Sequence, residues 1–177
     1  MELLLEIVKY TLPALIVFIT AYVLLKTLLD SDQQRRRHEL NVSNQKITTP
    51  LRLKAYERLV LYLERISPNS ILPRTLKADM SSVQLQRMLI RTIREEFEHN
   101  LSQQVYISSK AWNATIAAKE NMTKMVNMTA ARVHAQEGKK LGAEFAKIML
   151  EAVMDMKENP TTTAIEIVKK EAQEMFG

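Results

Sequence analysis

The chain has 177 residues, 46% apolar and 25% charged, with a net charge of +5. These proportions suit one ordinary folded domain and exclude a disordered or collagen-like chain. Zero Cys excludes a disulfide framework, a thiol nucleophile and Cys-ligated metal centres, and three Gly leave nothing for a glycine-rich phosphate loop.

The averages hide segregation. Residues 1–30 carry a net charge of −1, residues 31–77 carry +6, and residues 78–110 and 111–177 are each balanced. Apolar residues concentrate at the start: Val8–Leu29 reads VKYTLPALIVFITAYVLLKTLL, with no charge from Leu12 to Leu25. As a helix these 22 residues would measure about 33 Å, enough to cross a hydrocarbon core. Lys9 and Lys26 lie near the ends, and Tyr10 and Tyr22 suit interfacial depths. The acidic start MELLLE and the lack of an A-x-A site argue against a cleaved signal peptide. The expectation is therefore a single transmembrane anchor within residues 1–30, contacting membrane lipids through residues 8–29. Lys26, Arg35, Arg36, Arg37, Lys46, Arg52 and Lys54 then serve as membrane-surface and topology residues. The positive-inside rule places the N-terminus outside and the remainder in the cytoplasm, at the inner membrane.

Residues 31–49 read as a basic juxtamembrane linker, and residues 50–177 as an α-helical cytoplasmic domain, either a bundle or an extended stalk. A helix is predicted from Pro50 to about Ile66, with an apolar face including Tyr56, Leu59, Val60, Leu63 and Ile66, widened by Tyr62. Pro68 and Pro73 bracket a break. The next helix opens on a capping box, Ser81 with Gln84. It presents Leu85, Met88, Leu89, Ile93 and Phe97 on one face, with Arg91–Glu95 and Arg94–Glu98 as (i, i+4) pairs on the other. The segment HNLSQQVYISS is a connector or a short extended piece.

A fourth helix, about Ser109 to Gln136, is rich in Ala and Met. Small residues permit close helix approach, and Met fills irregular gaps or forms adaptable binding surfaces. Gly138 suits its C-terminal stop. A fifth helix follows from about Lys140 to Lys157, ended by Asn159-Pro160. A sixth opens on a second capping box, Thr163 with Glu166. The predicted fold class is all-α: one N-terminal transmembrane helix followed by a cytoplasmic helical bundle or extended helical domain.

Chemistry-bearing motifs are sparse. His38, His99 and His134 have no second ligand at metal spacing, no H-E-x-x-H or G-x-S-x-G occurs, and Gly138-Lys139-Lys140 lacks the first glycine of a P-loop. The sequons at Asn41, Asn100, Asn113, Asn121 and Asn127 read as incidental. No catalytic, cofactor or metal residue is assigned, and no small-molecule substrate is expected. The function expected is that of a membrane-anchored, non-enzymatic interaction protein. It would be an accessory subunit of a larger inner-membrane assembly or a self-associating scaffold. Tyr56, Leu59, Tyr62, Trp112, Met122, Met125 and Met128 are the candidate partner contacts. The alternative is a tethered nucleic-acid binder using Arg35–Arg37, Lys46, Arg52, Lys54 and Arg58. Nucleic acid is disfavoured as a partner because the helices beyond residue 78 are charge-balanced.

Overall fold

The computed structural model describes residues 1–135, 141–156 and 159–176, without the side chains of residues 2–14, 38, 41 and 160. Six α-helices form among the described residues: α1 (Glu2–Ile66), α2 (Pro68–Thr75), α3 (Ser82–His99), α4 (Ser109–Ala135), α5 (Gly142–Met154) and α6 (Pro160–Phe176). A 3-10 turn, Leu101–Val105, joins α3 to α4. The chain is all-α, and the connector after His99 holds a 3-10 turn where an extended piece was one expectation. It divides into two compact units, Met1–Thr49 and Pro50–Gly177.

The first unit corrects the membrane reading. Among the described residues no helix is long and apolar enough to cross a membrane. The single transmembrane anchor, the inner-membrane location and the N-outside orientation are therefore not upheld. The physical reason is charge. Lys26, Asp30 and Asp32 follow Leu25, so any stretch of about 20 residues of α1 with described side chains, the length a hydrocarbon core of about 30 Å requires, takes in at least three charged side chains. Residues 8–14 of the expected span lie outside the described side chains. Between Leu15 and Leu29 the large apolar side chains are 51–72% exposed and show no single buried stripe. Residues 31–49 are helical, and Pro50 falls inside α1 rather than at a helix start.

The second unit holds the core. From residue 55 onward α1 buries Ala55, Tyr56, Leu59, Tyr62, Leu63 and Ile66, an i, i+3, i+4, i+7 stripe. Leu85, Leu89 and Ile93 of α3 and Phe145 and Met149 of α5 pack into the same cluster. Each such large side chain contributes roughly 1.5–3 kcal/mol by leaving water. Helix α4 packs against α3, α5 and α6. Its buried face alternates small and adaptable residues: Ala111, Thr115, Ala118, Met122, Met125, Val126, Ala130 and Val133. The small ones let neighbouring helices approach, and the methionines fill the remaining gaps.

Local chemistry sets the helix boundaries. The Ser81 capping box forms as expected: Ser81 Oγ accepts from the Gln84 N–H, and Gln84 Oε1 accepts from the Ser81 N–H at 2.9 Å. Between Pro68 and Pro73, where a break was expected, the chain forms α2. Pro68 occupies an early helical position, where no intrahelical donor is needed. Pro73, itself exposed, removes one intrahelical donor near the end of this short helix. Helix α6 begins earlier than its predicted Thr163 cap. The Asn159 carboxamide oxygen accepts from the Thr161 N–H at 3.1 Å and from the Thr161 hydroxyl at 2.9 Å, so Asn159 is the cap. Gly138, the predicted stop of α4, lies outside the described residues.

One close approach joins α3 and α5. The Gly142 N–H donates to the Met80 carbonyl at 2.7 Å, beside an antiparallel bridge between Ser81 and Leu141. A Cβ on Gly142 would sit 2.9 Å from that carbonyl oxygen and 3.0 Å from Leu76 Cδ1. Only glycine fits there without a shift of backbone.

Candidate functional site

Two polar junctions organise the second unit before any surface feature is considered. At the first, the Glu171 carboxylate of α6 accepts from the Tyr56 hydroxyl at 2.5 Å and from the Ser108 hydroxyl at 2.6 Å. Ser108 Oγ in turn accepts from the Ala111 N–H at 3.1 Å, so one serine caps α4 and ties it to α6. Burial and the Glu171 carboxylate hold the Tyr56 phenol above its usual pKa. At the second, Glu96 of α3 pairs with Arg65 of α1 at 2.5 Å, and Arg74 of α2 stands 3.9 Å away. Arg74 also donates to the Arg65 carbonyl at 2.8 Å. Both junctions consume their polar groups in holding helices together.

Between α3 and α4 runs an open groove of about 870 Å³. Its floor is apolar, formed by Ile90, Ile93, Phe97, Leu101, Met128 and Ala131. The Phe97 ring stacks on Trp112, with centroids 5.4 Å apart and planes tilted 23°, and packs against Tyr62 at 5.9 Å. Lys119 Nζ lies 4.3 Å from the Phe97 centroid, a cation–π contact at the groove wall. The groove's rims are charged: Arg94 and Glu98 on α3, Glu120 and Lys124 on α4. Of the two (i, i+4) pairs expected on α3, Arg91–Glu95 closes at 2.6 Å. Arg94 and Glu98 do not close, and Glu120 and Lys124 also make no ion pair among the described residues. Four charged heads therefore stand ready around an apolar floor.

The candidate partner contacts divide between core and groove. Tyr56, Leu59, Tyr62, Met122 and Met125 are at most 5% exposed. They serve the core, and the partner-contact reading of these five gives way to a packing role: the apolar faces are covered by the chain's own helices. Met128, 51% exposed, lines the groove, and half-buried Trp112 stacks beneath Phe97. The groove residues Ile90, Arg94, Phe97, Glu98, Lys119 and Lys124 were not singled out as a site. Their spacing on each helix was visible in the sequence, but the pairing of the two helices was not.

The expected topology residues lose that role with the span. Arg36 pairs with Asp32 at 3.0 Å and Arg35 with Glu39 at 3.3 Å along α1. Arg52 donates to the Tyr106 carbonyl at 3.1 Å, and Arg58 to the Asn100 side-chain oxygen at 3.4 Å. Lys26, Arg37, Lys46 and Lys54 are exposed. Among the described residues no group of three or more His, Asp or Glu is placed to hold a metal ion. Asn100, within one of the sequons, is buried and donates to the Glu96 carbonyl at 2.8 Å, a structural use of its amide.

No curated protein and no solved structure matches the chain. Residues 2–175 match a family of unknown function, DUF7935, and the chain belongs to that family.

Proposed function

We propose that this protein is a non-enzymatic helical interaction protein, an accessory subunit or scaffold, and that the α3–α4 groove is its docking surface for a helix of a partner. The observation that supports this reading is the combination of an apolar floor with rim charges that have no mates. Helix-in-groove recognition uses those two elements: apolar anchors at i, i+3, i+4 and i+7 seat in the floor, and charges on the incoming helix set register at the rims. The exposed apolar side chains between Leu15 and Leu29 supply further contact surface in the first unit.

The test is co-purification of the full chain from its source beside the variant Met128→Asp, which places a charge on the groove floor without touching the core. The wild type is expected to retain a protein partner in near-stoichiometric amount, and the variant to lose it. Identical behaviour of the two preparations overturns the proposal.

A further inference from the structure

The groove's rims point to the nature of its occupant. Three cations, Arg94, Lys119 and Lys124, face it against two acids, Glu98 and Glu120. Along α3, Arg87 adds a further exposed cation next to this surface. A matching helix should therefore carry exposed apolar anchors within an acidic face. This chain contains one. The exposed face of α5 presents Leu150 and Met154 one turn apart, and Met154 is 85% exposed. Glu144, Glu151 and Asp155 flank them, and among the described residues of α5 the one cation, Lys147, is partly neutralised by Glu151 at 3.9 Å. The opposite face of α5, Phe145, Ala146 and Met149, is buried in its own core, so the helix is held rigid while it displays these side chains.

We propose that the occupant of the groove is a second copy of this chain, which seats Leu150 and Met154 of α5 on the Phe97–Met128 floor. Its Glu151 and Asp155 then meet Arg94 and Lys124 at the rims. This inference rests on the docking role given to the groove above and names its partner. A two-fold pair would use both grooves reciprocally, and a non-closing arrangement would extend the contact to further copies.

The chain has no Cys, so single introduced thiols report this contact cleanly. Full-length chains carrying Met154→Cys are mixed with full-length chains carrying Met128→Cys and treated with a short bis-maleimide. Mixed cross-linked pairs are expected in excess of like pairs. Arg94→Glu with Lys124→Glu in the Met128→Cys chain should weaken the pairing about tenfold, since like charges would then face each other. Glu151→Lys with Asp155→Lys in the Met154→Cys chain should restore it. Rescue by charge exchange separates this contact from association through other surfaces, including residues 15–29. Circular dichroism of each variant confirms that the helices remain.

Absence of mixed pairs, or pairing indifferent to both charge reversals, overturns the second-copy assignment. If it fails while Met128→Asp still releases a different protein, the docking role of the groove stands with another occupant. If Met128→Asp changes nothing either, both readings fall.

Discussion

Two tyrosines in the same helix, six residues apart, make opposite contributions. Tyr56 donates its hydroxyl to a carboxylate, whereas the Tyr62 hydroxyl is buried with no hydrogen-bond partner among the described residues. A hydrogen bond to a charged acceptor is worth about 1.5–3 kcal/mol, and an unsatisfied buried hydroxyl costs about 1–3 kcal/mol. Tyr56→Phe should therefore lower stability by about 2 kcal/mol. Tyr62→Phe should leave it unchanged or raise it by about 1 kcal/mol, because the ring still packs on Phe97. Urea unfolding of the two variants checks both signs. Burial raises the pKa of each phenol. The folded form thus holds these protons more tightly than the unfolded form, whose tyrosines titrate near pH 10. The stability linked to them is complete below that pH and drains as pH rises through the higher folded values. Thermal midpoints should be insensitive to these groups from pH 7 to 9 and fall above about pH 10, less steeply in Tyr62→Phe. Gly142→Ala should destabilise by about 1–3 kcal/mol, because its Cβ meets a backbone carbonyl that cannot retreat alone. Denaturant midpoints measure that loss.

At the scale of elements, side-chain caps set the starts of α3, α4 and α6. The Ser81–Gln84 box was legible because both partners lie within one turn and need nothing from elsewhere. Ser81→Ala should cost about 1 kcal/mol. The start of α6 was misplaced because two capping candidates stand four residues apart, Asn159 and Thr163. The structure uses Asn159. Thr163 sits inside the first turns, its hydroxyl bonded back to the Asn159 carbonyl at 3.2 Å. Asn159→Ala should accordingly cost about 1 kcal/mol and Thr163→Ala clearly less, by thermal melts read side by side. Helix α2 was hidden by its two prolines, which argue for a break when counted and for a short helix when placed.

At the scale of the whole molecule, the two units pose different problems. The second is a domain whose large buried side chains account for most of the apolar stripes on its helices. The first exposes apolar side chains along α1 that no described neighbour covers. Met128→Asp belongs to this scale: its residue is exposed, so it should change association while leaving the thermal midpoint nearly unmoved. The expected partner contacts were largely misassigned for a related reason. A strongly apolar helix face looks the same in sequence whether its own domain or another chain covers it. Tyr56, Leu59 and Tyr62 are covered by α3, α6 and their neighbours, so they are core.

The sequence by itself determined that the chain is helical, where most helices lie, and that its positive surplus sits in residues 31–77. Those properties follow from local periodicity, capping and composition, which act over one or two turns. Only the tertiary structure decided which apolar faces are covered, which capping residue is used, and that α3 and α4 together form a groove with unmatched charges. These depend on contacts between residues far apart in the chain. Arg94 and Lys124 share one groove because α3 and α4 pack side by side, and no spacing within either helix records that.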